Sequence, residues 1–226
     1  MPRCRSLRQL CNQHPRALWY LGRPHRARAA RAIGELTETP VVPRPAATLL
    51  LLTGEPVKVL MVRRPPGGLF GDAWVFPGGL TEEGDGPLED GDLTKKRAAV
   101  RELEEEVGLK VGPGDLVYLS RWVTPRLFPR RYDTWFFLAA IPAQVAVAPV
   151  NDEVTDALFV APATAIAAHQ AQQWKLVLPT LAHLRWLARY PSPEEAVAAA
   201  AKHSKGEPLE PQLTDDGSFV TPDLPW

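Results

Sequence analysis

The chain has 226 residues, 45% of them hydrophobic, which is ample for a packed core in one folded unit with extensions. Its 26 basic and 26 acidic residues give a formal net charge of zero, which excludes an overall electrostatic attraction to nucleic acid or to an anionic membrane. No apolar run approaches the roughly 20 residues of a membrane span. We therefore expect a soluble cytoplasmic protein that binds neither nucleic acid nor membrane.

The N-terminal arm, residues 1–40, differs from the rest of the chain in charge. Residues 1–34 contain eight Arg and no Asp or Glu, which leaves 18 basic and 26 acidic residues beyond them. Cys4 and Cys11 show no zinc-like spacing, which favours free thiols in a reducing compartment. The arm has the charge pattern of an organelle transit peptide but a single Ser, so we interpret it as a flexible arm or as the product of an upstream start codon.

Short apolar runs predict the first strands of the main domain, which we place at residues 41–161. A buried run at 46–52 and an alternating run at 57–63 enclose turn residues, a pattern typical of a hairpin. Residues 65–71 are rich in Pro and Gly and cannot lie in a regular element. We expect them at the mouth of a site, ahead of a strand at 74–76.

A helix is predicted over residues 93–107, with Asp92 as its N-cap and Gly108 as its C-cap. At about 100° per residue, Leu103 and Val107 point from one face toward a core. The opposite face carries three carboxylates at i, i+3 and i+4, namely Glu102, Glu105 and Glu106.

This carboxylate spacing indicates a metal site. Glutamates at i and i+4 repel by roughly 0.2–0.5 kcal/mol per pair, so a helix that groups three of them is stabilised by a cation. Oxygen ligands without His or Cys suit Mg²⁺ or Mn²⁺ rather than zinc. A solvated acidic helix face is the alternative interpretation.

Two further strands are predicted at 116–124 and 132–139, joined by an arginine-rich loop at 125–131. Its guanidinium groups, those of Arg126, Arg130 and Arg131, are either phosphate-binding forks or parts of a solvated basic turn. An acidic loop then precedes a strand at 157–160. Helices at 162–203 are expected to pack on the same domain, followed by an extended tail at 204–226 that lies on the body through Leu213, Phe219 and Trp226.

The segments 74–79 and 101–109 together resemble the signature of the Nudix hydrolase family, in which a glycine precedes Arg-Glu-apolar-X-Glu-Glu-X-Gly-apolar. The downstream part matches at every position. The gap from Gly79 to Arg101 is 22 positions where the family has about 14, so about eight residues are inserted. Because several acidic residues fill this insertion, the separate glutamate of the family pattern has no unambiguous counterpart.

The resemblance implies an α/β/α sandwich with a mixed sheet, here with a helical C-terminal extension, that hydrolyses a nucleoside diphosphate linked to another moiety. It implies that Arg101 orients the glutamates and that homodimers are common. Glu105 is the first candidate for general base and Glu153 the second. The implied ligands of Mg²⁺ or Mn²⁺ are the carbonyl of Gly79 and the carboxylates of Glu102, Glu105 and Glu106.

Residues 122–137 contain the pattern Trp-Val-Thr-Pro…Arg-Arg-Tyr-Asp-Thr-X-Phe-Phe. With this pattern and its C-terminal extension, the chain resembles the subgroup of the mammalian peroxisomal coenzyme A diphosphatase and its bacterial relatives. Coenzyme A or an acyl-coenzyme A is therefore the expected substrate. ADP-ribose, NADH and dinucleoside polyphosphates are alternatives, as is a binding module without hydrolysis, although such a module has no need of mutually repelling carboxylates. The expected substrate contacts are Arg64, Phe76, Arg126, Arg130 and Arg131.

Overall fold

The computed structural model describes residues 41–67, 70–126, 128–143, 145–203, 205–213 and 219–221. The basic arm and Trp226 lie outside these residues. The strands are β1 Arg44–Thr53, β2 Lys58–Arg63, β3 Ala73–Val75, β4 Gly78–Leu80, β5 Val117–Val123, β6 Tyr132–Ala140, β7 Asp156–Val160, β8 Lys175–Leu176, β9 Gln212–Leu213 and β10 Phe219–Val220. The helices are α1 Asp92–Val107, α2 Pro162–Gln170, α3 Leu178–Leu187 and α4 Pro193–Ala200.

Eight strands form one mixed sheet whose main path runs β5-β6-β1-β2-β3-β8. Strand β1 pairs with β6 in parallel along nine residues, and its other edge is shared between β4 and β2. Strand β7 pairs antiparallel with β2, with Arg63 opposite Asp156. This sharing brings β4 and the loop that precedes β7 to the same region of the sheet, where the site described below is formed.

The sheet separates two hydrophobic cores, as the alternation of buried leucines in β1 requires. Leu49 and Leu51 face α1 and pack with its Leu103. Leu50 and Leu52 belong to the opposite core, which contains α3 and α4. The predicted α/β/α sandwich with a mixed sheet and C-terminal helices is thus confirmed.

The predicted end of helix α1 is also confirmed. Helix α1 ends at Gly108, whose φ of 72° and N–H bond to the Glu104 carbonyl make it the C-cap. Its start differs by one residue, because Gly91 is the N-cap and Asp92 lies in the first turn. Gly78 and Gly79 of the motif lie in the short strand β4, which pairs antiparallel with β1 at Thr48 and Ala47. In the part of the chain that the structure describes, no helix combines the length and apolarity needed to cross a bilayer.

A buried polar chain connects α3 to β5 inside the second core. Ser120 Oγ lies 2.7 Å from His183 Nε2 and accepts a hydrogen bond of 3.1 Å from Trp122 Nε1. His183 is fully buried, and burial lowers its pKa to about 3, opposed by a backbone hydrogen bond at Pro179. The imidazole is therefore neutral in the folded protein at physiological pH.

His183 is expected to make stability fall in acid. Its folded pKa of about 3 lies below the ordinary 6.5, so the unfolded chain binds the proton more tightly, and the contribution present above pH 6.5 is lost as pH falls toward 3. The slope is about 1.4 kcal/mol per pH unit. Urea unfolding between pH 6 and 4 measures how the free energy of unfolding changes with pH. For His183→Gln this slope should be shallower than that of the wild type by about the same amount. Equal slopes for the two proteins would contradict the assignment.

Candidate active site

Helix α1 places its acidic face against β4 and the loop before β7. Leu103 and Val107 anchor the helix in the core, so Glu102 and Glu106 on the adjoining face are forced into the protein, with 6% and 0% exposure. Each of these burials opposes ionisation. The site is therefore built by packing α1 tightly enough that two of its carboxylates have little access to solvent.

Three carboxylates converge here. One oxygen from each of Glu102, Glu106 and Glu153 lies within 4.8 Å of the others. Glu153 comes from the loop before β7, and Asn151 Oδ1 accepts its backbone N–H at 2.9 Å. Helix α1 and the loop before β7 thus hold a compact group of oxygen ligands, in which Glu102 and Glu106 are buried and Glu153 is exposed.

Burial is the main influence on the two helical carboxylates. It raises the pKa of Glu106 to about 8, with Arg64 and the Gly78 N–H opposing the shift and the neighbouring carboxylates adding to it. Burial likewise raises the pKa of Glu102, and Arg101 opposes this. In both carboxyl groups burial disfavours the charged form, and a bound cation would stabilise that form.

Arg64, at the end of β2, holds Glu106 in place. Its Nη1 lies 2.8 Å from Glu106 Oε1, although the two groups do not align as a directed hydrogen bond, and its Nη2 donates to the Gly78 carbonyl. Gly78 N–H donates to Glu106 Oε2 at 3.3 Å. Arg64, which was predicted to contact the substrate, therefore lies beside the carboxylates, and its guanidinium already forms an ion pair with Glu106.

Arg101 organises the other half of the group. Its Nη1 donates to Glu102 Oε1 and to Glu105 Oε2, both at 2.9 Å, and its Nη2 donates to the Leu80 carbonyl at 2.8 Å. Its Nε and Nη2 also form a two-point contact with Asp85, at 3.0 and 3.1 Å. The hydrogen bond to Asp85 raises the pKa of Arg101 above its ordinary value. The guanidinium therefore positions carboxylates.

Sequence reasoning missed Asp85. It is buried to 3% exposure inside the inserted loop, and the Glu82 N–H donates to its Oδ2 at 2.8 Å. Asp85 follows Gly79 after five intervening residues, the spacing at which the family pattern has its separate glutamate. That spacing was the available signal.

Glu105 stands apart from the buried group. Its side chain is 47% exposed and its contact is the hydrogen bond from Arg101. The helical spacing grouped Glu102, Glu105 and Glu106 as ligands, whereas the structure groups Glu102 and Glu106 with Glu153. Counted from Glu102, Glu105 is at i+3 and Glu106 at i+4. These two positions point in directions different enough that Glu105 faces solvent while Glu106 is buried.

Gly79 is in contact with Glu102. A Cβ at this position would lie 2.2 Å from Glu102 Oε1, closer than any side chain tolerates. Gly79→Ala should therefore displace the Glu102 carboxylate while leaving the fold intact, because the displaced atoms are the end of a flexible side chain. We expect a loss of divalent-metal affinity of about tenfold or more with little change in Tm. Calorimetric titration with Mn²⁺ measures this, and an unchanged affinity would contradict it.

A cleft of about 640 Å³ adjoins the carboxylate group, and Glu153 lines this cleft together with Arg64 and Gly79. Its lining also includes seven aromatic side chains: Phe70, Phe76, Trp122, Phe128, Tyr132, Phe136 and Phe219. Among the described residues, Arg64 and Glu153 are the charged ones that line it. Its hydroxyl-bearing threonines are Thr48, Thr124, Thr134 and Thr180.

The predicted substrate residues have different positions. Phe76 lines the cleft at 2% exposure. Arg126 and Arg130 are exposed and are not among the lining residues. Arg131 is 6% exposed and donates to the Thr124 and Val41 carbonyls and to Glu210. Its guanidinium is thus held by protein partners, whereas the sequence left a phosphate clamp and a solvated basic turn as alternatives.

The carboxylate group fits a hard divalent cation. Its donors are all oxygens, as Mg²⁺ and Mn²⁺ prefer. Glu106 Oε1 is buried without a directed hydrogen bond. These features match the residues to a metal of this class.

A family model described as the NUDIX domain matches residues 42–180. The chain is similar to a solved NUDIX hydrolase from Alicyclobacillus acidocaldarius, with 23% identity, coverage of 70% of this chain and 96% of that chain, and a TM-score of 0.62. It is also similar to the NUDIX domain of Shewanella oneidensis NrtR, solved with ADP ribose, with 20% identity, coverage of 71% and 96%, and a TM-score of 0.50. These two likenesses show a shared fold. A search of curated proteins found no significant match.

Proposed function

The chain belongs to the Nudix family of pyrophosphohydrolases, and from that premise we propose that it hydrolyses coenzyme A or an acyl-coenzyme A with Mg²⁺ or Mn²⁺. Water would split the diphosphate into two phosphomonoesters, 3′,5′-ADP and a phosphopantetheine product. The observation that carries the proposal is the group of three carboxylates, one of which lines a large, mostly apolar cleft.

Glu102, Glu106 and Glu153 would hold the metal, and the Gly79 carbonyl is proposed to join them. When bound, Mg²⁺ or Mn²⁺ supplies charge neutralisation on the diphosphate and lowers the pKa of a water. Arg101 and Arg64 keep the carboxylates in fixed positions, so little reorganisation is needed during the reaction. The apolar walls exclude bulk water from the diphosphate.

Glu105 is proposed as the general base. Its carboxylate lies outside the group of Glu102, Glu106 and Glu153, is 47% exposed to solvent, and accepts a hydrogen bond of 2.9 Å from Arg101. It would accept the proton of the attacking water as that water adds to phosphorus in line with the departing phosphate oxygen. Glu153 is the second candidate for this role and also lies in the carboxylate group.

Glu105→Gln is expected to lower kcat by about 100-fold with little change in metal affinity, because general-base catalysis typically contributes 10²- to 10⁴-fold. Glu153→Gln should instead weaken metal binding. Steady-state kinetics and Mn²⁺ titration of both variants separate the two roles. Unchanged turnover by Glu105→Gln on every substrate would show that the assignment of the base is wrong.

The cleft lining supports coenzyme A over a more polar second moiety. An uncharged pantetheine or acyl arm can be buried against aromatic and Pro side chains, whereas two further ribose hydroxyls and a nicotinamide need polar partners. The threonine hydroxyls of the cleft support a second candidate, ADP-ribose, whose terminal ribose they could bind.

A panel of coenzyme A, acyl-coenzyme A, ADP-ribose, NADH and diadenosine polyphosphates, assayed with each metal, tests the proposal. We expect the highest kcat/KM on coenzyme A or its thioesters, and loss of that activity in Glu106→Gln prepared identically. A preference for ADP-ribose would favour the second candidate. Turnover near background on all substrates would favour a binding module without hydrolysis.

A further inference from the structure

The C-terminal segment, residues 209–213 and 219–221, is docked against the cleft. Leu209 extends the sheet at β5: its N–H donates to the Arg121 carbonyl at 2.8 Å, and its carbonyl accepts the Val123 N–H at 2.9 Å. Leu209 is 6% exposed and belongs to the core that contains α3 and α4. The segment is therefore anchored by both backbone pairing and apolar burial.

A second anchor follows immediately. Glu210 accepts a hydrogen bond from Arg131 Nη2 at 3.0 Å, and Arg131 is almost fully buried. Because Arg131 also donates to the Thr124 carbonyl, the ion pair joins the segment to the loop between β5 and β6. These contacts explain why Arg131, one of the arginines predicted as possible phosphate ligands, is buried.

Beyond these anchors, the segment contributes to the cleft itself. Pro211 is buried and lines it, and the β9–β10 pairing returns the chain so that Phe219 lines it as well. Phe219 stacks on Phe128 with ring centroids 5.9 Å apart and planes inclined by 28°. One wall of the cleft is therefore an apolar surface formed by Pro211, Phe219 and Phe128.

This wall includes residues outside the matched family domain, which ends at residue 180. Pro211 and Phe219 lie beyond that end, yet they line the same cleft as Arg64 and Glu153. The cleft is incomplete without them. A segment outside the matched domain therefore forms part of the cleft.

We infer that the C-terminal segment determines substrate specificity, and that Phe219 contacts an apolar acyl group carried by the substrate. The inference rests on the proposed function and adds to it a binding surface for the acyl group of the thioesters. Apolar side chains dominate this wall, so a hydrocarbon chain is the ligand that gains most from burial against it.

The ring geometry argues for a hydrocarbon chain rather than a nucleobase. A base held between two aromatic rings adds a stacking distance on each side, which requires ring centroids about 7 Å apart or more. Phe128 and Phe219 are 5.9 Å apart and already in contact with each other. They form a continuous wall, against which methylene groups can pack without separating the rings.

The test measures binding of octanoyl-pantetheine and acetyl-pantetheine to the full chain without metal. Burial of each methylene contributes about fourfold in affinity, so the octanoyl compound should bind at least about tenfold more tightly. Phe219→Ala should reduce this advantage to about twofold or less. Phe219→Leu should retain most of it, and Leu88→Ala, at a 55% exposed residue away from the cleft, should leave it unchanged.

Equal binding of the two compounds, no measurable octanoyl binding, or a full advantage in Phe219→Ala would each overturn the inference. These probes lack the nucleoside diphosphate, so the result does not depend on hydrolysis. If the chain-length effect is seen and lost as expected while coenzyme A thioesters are not cleaved, the proposed substrate is wrong and the apolar wall stands.

Discussion

Glu106→Gln is expected to remove most divalent-metal binding and to lower kcat/KM by at least about 100-fold. Glu106 is fully buried, belongs to the carboxylate group with Glu102 and Glu153, and is held by Arg64 and the Gly78 N–H. Glutamine keeps the shape of the side chain but replaces one anionic oxygen by a donor. A divalent cation would then lack one of its negatively charged carboxylate ligands.

The fold should tolerate this change. Burial raises the pKa of Glu106 to about 8, so the charged form is disfavoured in the metal-free protein, and a neutral amide should leave Tm unchanged or higher. Loss of activity without loss of Tm therefore separates a site effect from unfolding.

Glu104→Gln is the matched control on the same helix. Glu104 is 51% exposed and pairs with Lys110 at 2.7 Å on the far side of α1. We expect its kcat/KM and Mn²⁺ affinity to stay within about twofold of wild type, since surface pairs contribute little. Similar losses in the two variants would mean that total helix charge, rather than the buried group, controls activity.

The fold was largely predictable because its signals are local. Alternating leucines in β1 divide between the two cores, and Gly108 ends α1 because it adopts a positive φ that other residues rarely adopt. Helical spacing also predicted which face of α1 is acidic. It did not predict how deeply each glutamate is buried, since that depends on how α1 sits against β4.

Contacts between distant segments explain the rest. Glu153 lies 47 positions after Glu106, and the β2–β7 register, with Arg63 opposite Asp156, brings its loop beside Arg64. No periodicity in the sequence encodes that register. Asp85 was hidden among several acidic residues of one insertion, and its contact with Arg101 distinguishes it from them.

Arg101→Lys is expected to lower kcat/KM by about 10- to 100-fold. The guanidinium donates simultaneously to Asp85, Glu102, Glu105 and the Leu80 carbonyl. An ammonium group keeps the charge but has three donors without a planar fork, so it cannot reproduce the two-point contact with Asp85 and still reach both glutamates.

A double-mutant cycle with Asp85→Asn tests whether the two residues act as one unit. The hydrogen bonds of Asp85 described here join it to Arg101 and to the Glu82 N–H, not to Glu102, Glu106 or Glu153. Its effect on activity should therefore pass through Arg101. Asp85→Asn alone should lower kcat/KM about tenfold, and the double variant should be no worse than Arg101→Lys. Fully additive losses would show that Asp85 supports the site by another route, such as the fold of the inserted loop, and Tm measurements on all three variants would reveal that contribution.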